Sequence, residues 1–423
     1  MAKHGKKKGE QEIIDLKAYQ AAKEKAYSQT EAHIEYEEEP EEAPKKRRIP
    51  KAVYRVAIIL LVVILGLAVW VNREALLPDR VFSWIRLQFT GEKLGDGFPM
   101  ALPGTAVAAE NFRARGGEAA VLSDTAYSQI DREGRVTMTV AHGYTNPTMA
   151  LAGDKTLVMR QGGKAFKVLS GEKTVLESEA PSDITCGAVA ANGRFALGLQ
   201  GGDGASELRV YQADGTLQYQ YTFAKDQITA VALNYDGTYG VVCTAGAEKG
   251  ELVGKLTVLY FNEAEPVSQT ESRNNLFLKA SWTDSGEIFA IGDTALLRGK
   301  SPEYSFAATY YDGRKLTASL LEGERAYLSL SAYEHAGPST LLVFRGSEEP
   351  VRVEFGQRVL SISAAGSTVG VLCGGEAVFL ENADGTELGR VAVNADAKGL
   401  ALCNESLAYV LGAGSIELGE MGS

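Results

Sequence analysis

A period of roughly 40 residues constrains this chain more than any other feature, because that spacing is the size of one propeller blade. From about residue 103 short apolar stretches alternate with tight turns. The pattern restarts at Thr105 ("TAVAAENF"), Thr148 ("TMALAGDK"), Ile184 ("ITCGAVAANG"), Ile228 ("ITAVALNYDG"), Leu276 ("LFLKASWTDSG"), Leu316 ("LTASLLEGE"), Val359 ("VLSISAAGS") and Gly399 ("GLALCNES"). Several starts run into Asn-Gly, Asp-Gly or Asp-Ser-Gly, which supply the positive φ of two- and three-residue hairpins. Second strands follow, such as "FALGLQ", "YGVVCTA" and "EIFAIGD". Third and fourth strands recur at Leu208–Phe223 and Ala377–Val393, each hinged on Asp-Gly. No stretch beyond residue 92 has a helical period long enough for a βαβ unit. Four antiparallel strands repeated radially form an all-β propeller.

Eight starts predict an eight-bladed β-propeller. Seven blades, with one weak unit absorbed elsewhere, is the alternative count. The last unit supplies only three strands before the chain stops, and an open ring would expose two long edges. The isolated apolar stretch Phe98 to Leu102, in "GDGFPMALPG", is the expected fourth strand, paired beside Ser415–Gly419.

Ahead of the repeat, Ala52 to Val71 ("AVYRVAIILLVVILGLAVWV") has the length of one bilayer crossing, about 30 Å of helix. The flank "KKRRIPK" is far more basic than "NRE" on the other side. The positive-inside rule therefore makes residues 52–71 an uncleaved transmembrane signal-anchor helix in the lipid bilayer of a bacterial cell membrane. Residues 1–51 are then a cytoplasmic, mostly disordered tail of charge blocks. Residues 72–94 form a juxtamembrane linker with a short amphipathic helix. Its apolar face, Val81, Trp84, Ile85 and Phe89, suits either the outer membrane interface or the underside of the domain. Residues 95–421 are the extracytoplasmic propeller. From Asn72 on the chain carries 30 basic and 43 acidic side chains, net −13. Such a surface repels polyanions and argues against nucleic acid.

The aromatic, Asp-Gly-hinged hairpins at Tyr211–Tyr219 and Phe379–Arg390 resemble those of quinoprotein-like and WD-repeat-like propellers. More specifically, "WVNREALLPDRVFSWIRLQF…GDGFP…PG" (Trp70 to Gly104), after a single span, resembles a bacterial domain-of-unknown-function family, number 5711. The resemblance implies a membrane-anchored propeller of unassigned activity and carries over no catalytic residue.

No reaction is legible. No nucleophile elbow or Walker loop is present. "SGEK" (Ser170 to Lys173) reads as a hairpin turn. "GGDGAS" (Gly201 to Ser206) precedes a strand rather than a helix, so it is no phosphate cradle. His142 and His335 read as surface-loop residues outside any zinc pattern. Cys186, Cys243, Cys373 and Cys403 fall on different blades. Sheets about 10 Å apart cannot bring such pairs within the ~7 Å that a disulfide spans, so buried free thiols are expected. The expectation is a non-enzymatic module with no cofactor and no metal. Its partner would be another envelope protein or a cell-wall component.

The alternative is a small-ligand receptor or enzyme using the central funnel. A funnel with several titratable groups would favour it; small and apolar lining favours the binding module. In a blade, first-to-second and third-to-fourth turns share one face, and these look tight. Second-to-third turns share the opposite face with the blade links, and longer excursions fall there: 200–207, 244–254 and 331–339. The closing strand enters on the tight-turn face, so that face is expected toward the membrane. Long loops on rigid scaffolds carry binding. Asp203, Glu248, Lys249, Glu251, Tyr333, Glu334 and His335 are therefore the candidate binding face.

Overall fold

Turn glycines set the blade plan. In a computed structural model of the protein, which describes residues 97–421, Gly193, Gly215, Gly237 and Gly385 all hold positive φ between consecutive antiparallel strands. Side-chain-bearing residues disfavour that region, so each glycine makes its hairpin tight. The expected tail at 1–51, the span at 52–71 and the linker at 72–94 lie outside the described residues. Among the described residues no helix is long and apolar enough to cross a membrane.

The strands assemble into eight four-stranded antiparallel sheets. The first strands are Val107–Arg115, Pro147–Ala152, Ile184–Val189, Gln227–Leu233, Phe277–Trp282, Lys315–Glu322, Ser361–Ala365 and Gly399–Leu402, numbered here as blades 1 to 8. Each coincides with a start read from the sequence, so the count is eight and the seven-bladed alternative falls. The last sheet is closed from far upstream. Met100–Ala101 pairs with Ser415–Glu420, Met100 opposite Ile416 and Ala101 opposite Ser415. The closing strand is thus shorter than the expected Phe98–Leu102, with one further bond from Leu102 N–H to the Gly414 carbonyl at 3.3 Å.

Burial follows strand position. The second strand of blade 7, Thr368–Cys373, is buried at every residue, while its outer strand, Glu387–Ala392, alternates between exposed and half-buried. Inner strands lie between two neighbouring sheets, whereas outer strands face water on one side. The core is therefore divided. Among the described residues eight apolar clusters are present, one between each pair of neighbouring blades, including blades 8 and 1. Burying one large apolar side chain contributes about 1.5–3 kcal/mol.

Polar latches join the first-to-second turns of consecutive blades. Arg115 Nη2 donates to the Gly153 carbonyl at 2.8 Å, Asn192 Nδ2 to the Asp236 carbonyl at 2.6 Å, and the Ser367 N–H to Glu405 Oε1 at 2.8 Å. All four cysteines are free. Burial pushes the Cys186 thiol up to about 12 and Cys373 to about 11, so these sulfurs stay protonated and unreactive at neutral pH.

Candidate functional site

The second-to-third turns and the blade links share one face, as the alternation of strand direction requires. Asp203 lies at the exposed tip of the turn between Phe195–Gln200 and Ser206–Tyr211 in blade 3, with φ of 54°. Asn and Asp tolerate this left-handed conformation better than most residues. Gln227, at the start of blade 4, donates from Nε2 to the carbonyls of Gly204 and Ala205 at 2.8 and 3.0 Å. The turn of blade 3 is therefore fixed against blade 4.

Blade 4 differs from the expectation. Residues 244–254 are a ladder rather than a loop. Tyr239–Glu248 and Glu251–Tyr260 pair along their full length to Glu248 opposite Glu251, and Lys249-Gly250 forms a two-residue turn with positive φ at both positions. The facing glutamates repel, and two cations offset this. Arg273 lies 3.6 Å from Glu248 and 3.4 Å from Glu251. Lys255 lies 3.2 Å from Asp226 and 3.4 Å from Glu248. Burial alone would lower the Lys255 ammonium, but these two carboxylates outweigh it and raise the group above its ordinary value.

Tyr333, Glu334 and His335 sit in the longest turn of this face, between the second and third strands of blade 6, and all three are exposed. The Tyr333 side chain is 64% exposed, too open for a core role. Its loop is tied down at the base, where Ser331 Oγ donates to the Pro338 carbonyl at 2.8 Å and accepts from the Tyr333 N–H at 3.2 Å. The seven candidates thus separate. Asp203, Glu248, Lys249 and Glu251 share blades 3 and 4, whereas Tyr333, Glu334 and His335 stand two blades further round.

His142 corrects the sequence reading. It is buried in the link between blades 1 and 2, and its Nδ1 accepts from the Tyr144 N–H at 3.2 Å. Burial, with the nearby Lys167 charge, lowers its pKa to about 4, so it is neutral at pH 7. Among the described residues no three His, Cys, Asp or Glu side chains converge as metal ligands would.

The first strands of blades 1, 5, 6, 7 and 8 line an open-mouthed cavity of about 290 Å³ at the centre of the ring. Most of its wall is small or apolar: Ala109, Ala114, Ala318, Ala364, Leu320 and Ile362. Four charged side chains also line it, Glu110 and Arg113 from blade 1, Lys279 from blade 5 and Glu322 from blade 6. The two expectations for the funnel are therefore both partly met. Sequence reasoning missed these four residues. The available signal was a charge inside a first strand otherwise made of small and apolar residues, as in "LFLKASW".

Eight four-stranded blades around an axial cavity define the class of this protein, a β-propeller. Residues 105–303 match the model of a family of unknown function (DUF5711). This is the family suggested by residues 70–104, and the match falls on the propeller itself. No curated protein matches the chain. Among solved structures, BamB from Moraxella catarrhalis is 11% identical, with a TM-score of 0.48 over 75% of this chain and 98% of its own. The β-propeller domain of Cps50 (Swd1) from Myceliophteria thermophila is 15% identical, with a TM-score of 0.47 over 75% of this chain and 98% of its own.

Proposed function

We propose that the chain is a single-pass membrane protein whose extracytoplasmic propeller is a non-catalytic binding module of the bacterial cell envelope. Its occupant is an envelope protein or a cell-wall component. The observation that carries the binding surface is the paired projection of blades 3 and 4. The hairpin end at 246–252, which runs past the first and fourth strands of blade 4, and the turn bearing Asp203 emerge on one face, and Gln227 ties that turn to the first strand of blade 4. A rigid projection loses little conformational freedom on docking, which favours binding. The membrane reading rests on the apolar run at 52–71 and its basic flank, and the acidic balance of the rest argues against nucleic acid.

A photo-crosslinking residue placed in turn at Asp203, Lys249 and Tyr333 tests the surface in living cells. Adducts from Asp203 and Lys249 and none from Asp384, on the opposite face, are expected. Adducts only from Asp384 would overturn the surface. Topology is tested separately with Lys249→Cys and a membrane-impermeant maleimide. Labelling of intact protoplasts is expected, over a low background from the buried and half-buried native thiols. Labelling only after lysis would place the propeller in the cytoplasm.

A further inference from the structure

Two of the four charged side chains in the axial cavity, Glu110 and Arg113, come from an irregular first strand in blade 1. In its first strand Val107 lies opposite Ser123 and Phe112 opposite Val121, so four residues intervene on one side and one on the other. Corresponding first strands in blades 3, 4, 5 and 6 shift by a single residue. Bulges of this kind re-aim side chains and are frequent beside functional sites. This one is held in place. Asn111, buried, donates from Nδ2 to the Pro147 carbonyl of blade 2 at 2.8 Å, and Arg113 Nε donates to the Glu110 carbonyl at 3.3 Å.

Arg113 and Lys279 each have one hydrogen-bond partner, a backbone carbonyl; for Lys279 Nζ it is Ser319 O at 2.8 Å. Neither makes an ion pair among the described residues. Enclosure and, behind it, the Arg113 charge together lower the Lys279 ammonium to about 8, against the opposite pull of Glu110. Glu322 is exposed to solvent at the edge of its strand, and its carboxyl lines the cavity wall. Partial desolvation there raises the carboxyl above its ordinary value, against the pull of Arg113. Two cations facing one cavity without a contacting carboxylate leave room for an anion between them. Two flanking carboxylates disfavour a second negative charge on the same molecule. The space, about 290 Å³, lies at the lower end of ligand cavities, roughly 300 Å³ and upward.

We propose that this cavity binds a compact zwitterion of amino-acid size, its carboxylate between Arg113 and Lys279 and its cationic end toward Glu322 and Glu110. This site is separate from the partner surface on blades 3 and 4. The carboxylate needs the charged form of Lys279, so affinity falls as pH rises through about 8. Arg113 stays cationic throughout, and the two glutamates are the other titratable groups facing Lys279 across the cavity.

Calorimetric titration of the full chain in detergent tests this, with glycine and L-alanine as zwitterions, acetate and ethylamine as half-ligands, and succinate as a dianion. The zwitterions are expected to bind at least about tenfold more tightly than either half-ligand, and succinate not at all. Arg113→Gln and Lys279→Met should each weaken zwitterion binding by about tenfold or more, the latter also abolishing the pH dependence. Glu322→Gln should weaken glycine while sparing acetate, and it serves if the other variants fail to fold. Absence of binding by either zwitterion at about 10 mM, or glycine binding indifferent to Glu322→Gln, would overturn the proposal.

Discussion

Blades 4 and 8 follow one plan and reach stability by different means. Blade 4 is local. Its four strands come from residues 227–273, and its middle hairpin pairs ten residues with ten. Blade 8 joins Gly399–Glu420 to a strand about 300 residues upstream that contributes two ladder positions. So short a ladder cannot hold the seam alone. Side chains complete it. Phe98 lies 5.8 Å, centroid to centroid, from Tyr409, which is fully buried. The Tyr409 hydroxyl donates to the Gly117 carbonyl of blade 1 at 2.9 Å, and Cys403 Sγ reaches the same carbonyl at 2.8 Å. Leu102, Val107, Phe112 and Ile416 fill the space between the two blades. Backbone pairing dominates where the strands are neighbours in sequence, and packing dominates where closing the ring spans the whole chain.

Breaking the seam should have the largest effect. Deleting Phe98 to Leu102 exposes the edge of Ser415–Glu420 and empties part of the blade 8 to blade 1 cluster. The ring should then lose cooperative unfolding in denaturant melts, and a variant that melts like the parent would show the closing strand and its side chains to be dispensable to the seam. Tyr409→Ala should destabilise by about 3–5 kcal/mol, since it leaves a cavity where the ladder is shortest. Tyr409→Phe removes only the hydroxyl and should lose about 1 kcal/mol, with the Gly117 carbonyl retaining Cys403 as a weak donor. The comparison sharpens on blade 4. Replacing Ala247–Leu252 by Asn-Gly keeps the register of Gly246 with Val253 and should change stability by less than about 1 kcal/mol, because the excised residues pack little. The same variant, carrying the photo-crosslinker at Asp203, should lose most of the adducts made there. Arg273→Ala should have the smallest effect, about 0.5 kcal/mol, expressed as repulsion between Glu248 and Glu251 and reduced by added salt.

Local chemistry made the blades legible. Asn-Gly and Asp-Gly act within four residues, so Gly193, Gly215, Gly237 and Gly385 marked hairpins before any tertiary contact was known. The closing strand was legible through arithmetic, because a final unit with three strands requires a fourth from elsewhere. The arm of blade 4 was misread. "AEKGE" is charged and glycine-bearing like a loop, but the cross-strand cations that let two glutamates face each other lie at Lys255 and Arg273, within the next strands. His142 was misread for a related reason. A link residue is exposed by default, and its burial depends on packing between blades 1 and 2.

The sequence by itself determined the repeat, the strand order within a blade, the faces on which turns fall and the separation of the cysteines, while the choice of eight blades over seven came from the sheets. These depend on hydrophobic period, turn residues and alternation of strand direction, all of which act over a few residues or follow from counting. Only the tertiary structure decided the three-residue excess in the first strand of blade 1, the separation of the candidate face into two patches, and the meeting of Glu110, Arg113, Lys279 and Glu322. Register is a relation between two strands, and a bulge is visible only against its partner. The axial cluster draws on residues 110 to 322, which come together because a ring brings its opposite members within reach across a narrow axis. No period along the chain encodes that distance.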